Sequence, residues 1–243
     1  MPKHTLRHIF LKLASLFYSN FESKVLFYHD IHCGKRYCEY STPIELFKIH
    51  IDTIRNANFE IVKKITSKYG QIVIQFDDGY KGILDCLPYI ETEQIPVEIF
   101  VITNRIGGEN YLSQSDIERM LSTGLVKFSS HTHTHLKLNQ YDSTTVTNEI
   151  KTSIEILKTI TKTNIDSICF PYGYFSSSVI DCCDAQGINH QYSSLPGSYH
   201  NFFMNKVIRR NLVQFASKRE LIWALKGAHS IFNERYINQH FKK

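Results

Sequence analysis

From residue 25 onward, short apolar runs alternate with amphipathic segments of helical length. That alternation implies a parallel sheet or barrel with helices packed outside it. Val25 to His29, Gln71 to Phe76, Val97 to Ile102, Val126 to Ser129, Ser167 to Phe170 and Val207 to Val213 read as strands. Thr42-Pro43-Ile44-Glu45 predicts a helix start, with Thr42 as N-cap, Pro43 in the first turn and Glu45 completing a capping box. Ile44, Phe47, Ile51 and Ile54 then keep helical spacing. Ser113 opens a second helix through Ile117, Met120 and Leu121, which Gly124 closes. Val146, Ile150, Ile154 and Leu157 mark a longer helix. Val179, Ile180 and Cys183 mark another, and Lys218 to Leu225 reads as one more. The polar clusters fall at the carboxyl ends of predicted strands, where parallel α/β folds place their chemistry.

A chain of 243 residues that is 42% hydrophobic and 21% charged supports one sizeable core. The net charge of +5 is spread over scattered Lys and Arg, so no nucleic-acid partner is expected. The six cysteines form no C-x-x-C pair and read as free thiols of a reducing compartment. Residues 1–24 carry Leu6, Ile9, Phe10, Leu13, Leu16 and Phe17 at helical spacing, with Lys3, Arg7 and Lys12 elsewhere. They predict an amphipathic N-terminal helix ahead of a domain spanning 25–243. Peripheral membrane contact through that helix is its sharper use. Without a clean cleavage site, the expected location is the cytoplasm, membrane-associated through the helix, with export as the alternative.

Two constellations carry chemistry. Asp77 and Asp78 follow an apolar strand, and two adjacent carboxylates repel unless a cation lies between or beside them. Gly79 permits the bend that lets both face one site. His131, His133 and His135 lie within five residues, directly after another strand. A helical turn would bring His131 and His135 to one ion, whereas an extended run would put all three on one face. Imidazoles with carboxylates favour a divalent metal, and the spacing leaves the choice of histidines open.

With these residues in view a resemblance becomes specific. Phe76-Asp77-Asp78-Gly79-Tyr80 resembles the first motif of the polysaccharide deacetylases, carbohydrate esterase family 4. Ser130-His131-Thr132-His133-Thr134-His135 is similar to their Ser-His-Thr-x-x-His motif, and Phe170-Pro171-Tyr172-Gly173 to part of the third. Phe27-Tyr28-His29-Asp30 resembles a segment of the subgroup containing the poly-N-acetylglucosamine deacetylases. The likeness runs from about Val25 to Val213.

The resemblance implies a distorted (β/α) barrel of about seven strands. It also implies a divalent metal held by Asp78, His131 and His135, with zinc first and cobalt or nickel as alternatives. Asp77 would be the general base, His29 the general acid, and the Tyr172 backbone N–H a donor to the oxyanion. Tyr80, Pro171 and Gly173 would contact substrate. Two departures stand out. The family's third motif often carries an Arg two residues before its Pro, where this chain has Cys169, so Arg209 or Arg210 would have to supply that charge. No Leu-x-x-His motif closes the chain, and His229 and His240 look poorly placed.

The implied activity is removal of an N-acetyl group from an amino sugar in surface-polysaccharide metabolism. The substrate would be an N-acetylated sugar, oligosaccharide or glycolipid. One alternative is a deformylase or deacetylase acting on a lipid-linked or nucleotide-linked sugar. Another is a degenerate glycan-binding module.

Overall fold

The computed structural model describes residues 20–242. Among the described residues, nine strands make one sheet: β1 (Lys24–Tyr28), β2 (Glu60–Ile61), β3 (Gln71–Phe76), β4 (Val97–Val101), β5 (Val126–Ser130), β6 (Ser167–Cys169), β7 (His190–Tyr192), β8 (Val207–Ile208) and β9 (Asn211–Leu212). Their order is β8-β7-β6-β5-β4-β3-β1-β9, with β2 paired to β3, and every pairing is parallel. The two ends of that order, β8 and β9, are separated in the chain only by Arg209 and Arg210. Three Cα steps reach at most about 11 Å, so the sheet must curl until its edges nearly meet. The expected segment Val207 to Val213 is therefore two short strands on opposite edges. Short edge pieces of this kind raise the strand count above seven.

The curled sheet has two faces with different contents. Leu26, Tyr28, Ile72, Ile74, Phe76, Ile99, Phe128 and Ile168 join the large outer core against the helices. The alternate positions Val25, Val73, Phe100, Cys169, Tyr192 and Ile208 form a separate cluster inside the barrel. Period-two alternation on a sheet buried on both faces produces this split. Outside pack α1 (Ile44–Asn56), α2 (Gln114–Ser122), α3 (Ser143–Thr161), α4 (Ser177–Ala185) and α5 (Lys218–Leu225). Helix α6 (Asn233–His240) then leads into a two-residue strand, Phe241–Lys242, that pairs with Phe175–Ser176.

Local expectations were met unevenly. Ser113 caps α2 with the reciprocal capping box that its sequence allows. Thr42 does not cap α1. It lies in a short strand, Ser41–Pro43, and its hydroxyl donates to the Gln214 carbonyl at 2.6 Å, which leaves Pro43 at the N-cap. The predicted N-terminal helix falls largely on residues 1–19, outside the described residues. Residues 20–24 are not helical. Asn20 N–H donates to Lys226 O at 3.2 Å, Glu22 bridges Tyr69, and Lys24 opens β1, so the body begins before residue 25. Among the described residues no helix is long and apolar enough to cross a membrane.

Candidate metal centre and active-site cleft

Strand β3 delivers the carboxylates. The Asp77 N–H still donates to Tyr28 O at 2.9 Å, which pins the backbone to β1 one residue past the strand. Asp78 at φ 72° and Gly79 at φ 78° are both left-handed, so the chain reverses and both carboxylates serve one cavity. The bend thus begins at Asp78, one residue earlier than the glycine suggests.

Strand β5 delivers the histidines. His131 N–H donates to Val101 O at 3.0 Å, and left-handed residues at Thr132 (φ 66°) and His135 (φ 67°) then fold the loop back. Glu149 on α3 holds that loop. Its carboxylate accepts from His133 N at 3.1 Å, from Thr134 N at 2.7 Å and from Thr134 Oγ1 at 2.7 Å. His131 and His135 converge on Asp78, while His133 is turned to Thr103, its Nδ1 lying 3.0 Å from Oγ1. Of nine left-handed non-glycine residues among those described, Asp78, Thr132, His135 and Tyr172 lie in these loops and in the turn after β6. Each costs on the order of 1–3 kcal/mol, and such strain persists where surrounding structure fixes it.

The donor set fits a divalent cation. His131 Nε2 and His135 Nε2 each lie 3.4 Å from Asp78 Oδ1 and 3.2 Å from one another. Bonds of about 2.0–2.2 Å in a tetrahedral centre place ligand atoms about 3.3–3.6 Å apart, close to this triangle. Asp78 Oδ1 is buried and has no hydrogen-bond partner, an expensive condition for a carboxylate oxygen that a cation would relieve. His131 Nδ1–H donates to the Cys169 carbonyl at 2.8 Å, which turns Nε2 to Asp78 and makes it the nitrogen that would give up its proton to an ion.

Electrostatics point the same way. Burial disfavours a charged His131, yet Cys169, Asp78 and Asp77 around it hold its pKa well above the ordinary value. Burial and the neighbouring His131 push His135 down to about 3. Burial alone would raise Asp78, but the neighbouring His131, with His29 and His135 beyond it, holds it well below the usual carboxylate range. The cluster draws a positive charge into a buried place, and a divalent ion would supply it.

Asp77 is partnered differently. Arg210 donates Nη1 to Oδ1 at 2.7 Å and Nη2 to Oδ2 at 2.8 Å, a bidentate pair buried at the sheet's seam. Burial works against the Asp77 charge, and the guanidinium outweighs it, holding the carboxyl below its ordinary range. Arg209, the other candidate, turns away to Asn201 O at 2.5 Å and to Asn233. Cys169, where the family often has its Arg, accepts from Arg210 Nη2 at 2.7 Å. Asp77, His131 and Cys169 also offer donor atoms within 4.8 Å of one another, but the guanidinium already occupies Asp77 and the thiol.

A cleft of about 400 Å³ opens above these groups. His29 stands in its wall with Nδ1–H directed to Gln214 Oε1 at 2.7 Å, which leaves Nε2 to exchange a proton. Tyr172, at φ 56°, also lines it, with its ring centroid 4.4 Å from that of His135. Gly173 lines it too, and a Cβ there would sit 2.7 Å from Ser194 Oγ, so no larger residue fits.

Tyr80 and Pro171 do not line the cleft. The turn at Asp78 and Gly79 carries Tyr80 onto Tyr111, with ring centroids 4.7 Å apart, and Pro171 is buried.

Other wall residues escaped the sequence reading. Tyr40 places its ring 5.4 Å from that of His29. His229 and His240 reach the cleft after all, together with Phe232 and Tyr236. The strand Phe241–Lys242 returns this segment to Phe175–Ser176, and His240 Nδ1–H donates to Tyr236 O at 2.9 Å. The helical spacing of Tyr236, Ile237 and His240 was the available signal.

The sequence profile of the polysaccharide deacetylase family matches residues 64–190. A poly-beta-1,6-N-acetyl-D-glucosamine N-deacetylase of Staphylococcus epidermidis is 27% identical over 171 residues, covering 64% of this chain and 59% of that protein. The Staphylococcus aureus protein of the same name is 26% identical over 134 residues, covering 49% and 46%. The chain therefore spans less than two thirds of the length of these curated relatives. Among solved structures, the deacetylase PplD of Streptococcus pyogenes in complex with acetate superposes with a TM-score of 0.73 at 17% identity, covering 84% of this chain and 98% of that one. IcaB from Ammonifex degensii gives 0.71 at 18%, covering 85% and 98%. These two share the curled barrel.

Proposed function

The chain belongs to the polysaccharide deacetylase family, and from that premise we propose that it hydrolyses the N-acetyl group of an amino sugar in a surface polysaccharide. The observation that carries this reading is the pairing of two unlike carboxylates. Asp77 is saturated by Arg210, while its neighbour Asp78 keeps a buried, unpartnered oxygen facing two imidazoles. One carboxylate is kept ionised to take a proton, and the other is kept open to a cation.

A divalent ion held by Asp78, His131 and His135, zinc first on its preference for such ligands, would supply Lewis-acid polarisation of the acyl oxygen and a lowered pKa for water. The protein's own groups do the rest. Asp77 takes a proton from the attacking water. The Tyr172 backbone N–H faces the oxygen that becomes negative. His29, its Nδ1 proton anchored on Gln214, delivers a proton from Nε2 to the departing nitrogen as the C–N bond breaks. Acetate and a free amine result. The cleft lies near the small end of ligand sites, about 300–1,000 Å³, so it suits one sugar unit with the rest of a polymer outside.

The test is incubation of the zinc-loaded chain with N-acetylglucosamine oligomers, following new amines and acetate together. Stoichiometric appearance of both is expected. Zinc-loaded protein that releases acyl groups from no N-acetylated, N-formylated or lipid-linked amino sugar would remove the hydrolase reading.

A further inference from the structure

The inside of the barrel holds a row of polar side chains that the reaction above does not use. Glu98 on β4 is buried, and it accepts from Ser129 Oγ at 2.7 Å and from Lys127 Nζ at 3.1 Å. Its other oxygen accepts from Gln75 Nε2 at 2.7 Å. Gln75, wholly buried on β3, turns its Oε1 to Arg210 Nη1 at 3.3 Å. The sheet register makes Gln75 and Glu98 direct neighbours, and likewise Glu98 and Lys127. Lys127 is half exposed on the side away from the cleft, so the row runs along the barrel from solvent to Asp77.

Each link has a fixed direction. Glu98 is an acceptor only, so the Gln75 amide must present nitrogen to it and oxygen to Arg210. Arg210 has five N–H groups, and the structure accounts for all of them. Nε donates to Ser193 O at 3.0 Å, two bonds reach Asp77, one reaches Gln75 and one reaches Cys169. The Phe27 ring centroid lies 4.1 Å from the guanidinium carbon and that of Phe100 5.6 Å. Any reorientation of Gln75 would put N–H against N–H and turn the guanidinium off its plane with Asp77.

We propose that Gln75 and Glu98 are positioning residues, which set the plane of Arg210 and through it the aim of Asp77. The inference rests on the reading of Asp77 as the base, and it extends that site to the opposite rim of the barrel. It also gives Cys169 a role: a thiol there completes the guanidinium's bonding and leaves room for an arginine arriving from the seam.

The test uses the zinc-loaded full chain and three forms: wild type, Glu98→Gln, and the exchange Gln75→Glu with Glu98→Gln. In the single variant Gln75 is free to flip. In the exchange, the carboxylate placed on β3 again offers oxygen to Arg210 and accepts from the amide placed on β4, with the same number of buried charges. The expected result for Glu98→Gln is a loss of kcat of about tenfold or more, since misplacing a reacting geometry by 1 Å can cost about 100-fold. KM and bound zinc should stay within about twofold of wild type. The exchange should recover most of kcat, and a crystal structure should show two guanidinium–Asp77 bonds in the exchange and fewer in the single variant. Unchanged kcat in Glu98→Gln would overturn the proposal, as would a loss that the exchange does not restore. If wild type turns over no substrate, the Asp77 reading fails on its own, and the crystal structures still decide whether Glu98 sets the plane of Arg210.

Discussion

Arg210 is a buried cation with every proton engaged, which makes it the residue on which the site is most exposed to damage. Replacing it by methionine leaves Asp77 buried without its partner, a change that typically costs about 3–5 kcal/mol. Guanidinium chloride unfolding should show a loss of about that size, while Arg209→Met should cost clearly less. At the other end of the chain, Lys24 makes a pH prediction. Burial outweighs the nearby Glu22 carboxylate and brings its pKa down to about 8 from 10.5. The folded state therefore carries the cost of a buried charge at all pH values below about 8. As pH rises from about 8 to 10.5, the folded protein releases this proton and the unfolded chain keeps it, so stability rises by about 3 kcal/mol. Urea midpoints of wild type and Lys24→Met at pH 7.5 and pH 10 check this, and the variant's relative stability should be higher at the lower pH.

Among the elements, α3 is the one that shapes the histidine loop. Through Glu149 it ties down His133 and Thr134 between the two histidines that converge on Asp78. Glu149→Ala should weaken zinc binding by about 10–100-fold, the range seen when supports behind metal ligands are removed, as read by competition with a chelator. The same loop shows what local sequence can convey. Asp77, Asp78, His131 and His135 were legible because each sits close behind a strand end. Spacing alone did not choose the pair from three histidines, which only the motif resemblance singled out, because the choice depends on left-handed backbone at Thr132 and His135. Thr42 offered a good local cap and lost it to a carbonyl 172 residues away, a contact no window of sequence contains. Tyr80 adjoins the motif, yet it follows the left-handed pair Asp78 and Gly79 and stacks on Tyr111, a contact that the motif alone does not convey.

For the molecule as a whole, closure of the sheet decides what the motifs cannot. Arg210 meets Asp77 only because β8 and β9, neighbours in sequence, are opposite edges of the same sheet. The C-terminal segment likewise becomes a cleft wall only through the pairing of Phe241–Lys242 with Phe175–Ser176. The strand–helix alternation announced a parallel sheet or barrel, but residues that meet across its seam carry no periodic signal. Binding of an ion to a site built from β3 and β5 should stabilise the entire barrel. At a free zinc concentration about 100 times the dissociation constant, the gain is about 2.7 kcal/mol, and a chelator should lower the melting temperature by roughly 5–10 °C.

The most direct measurement is zinc content and acetate release, taken in parallel on wild type and Asp77→Asn. The ligands and the base are separate residues, so the two readouts should part company. Both proteins should hold about one ion per chain. Wild type should release acetate from N-acetylglucosamine oligomers, and Asp77→Asn should lose at least about 100-fold in rate, the scale of a general base. Wild type that binds no zinc at the Asp78 site, or an Asp77→Asn form that keeps full turnover, would contradict the division of labour between the two carboxylates.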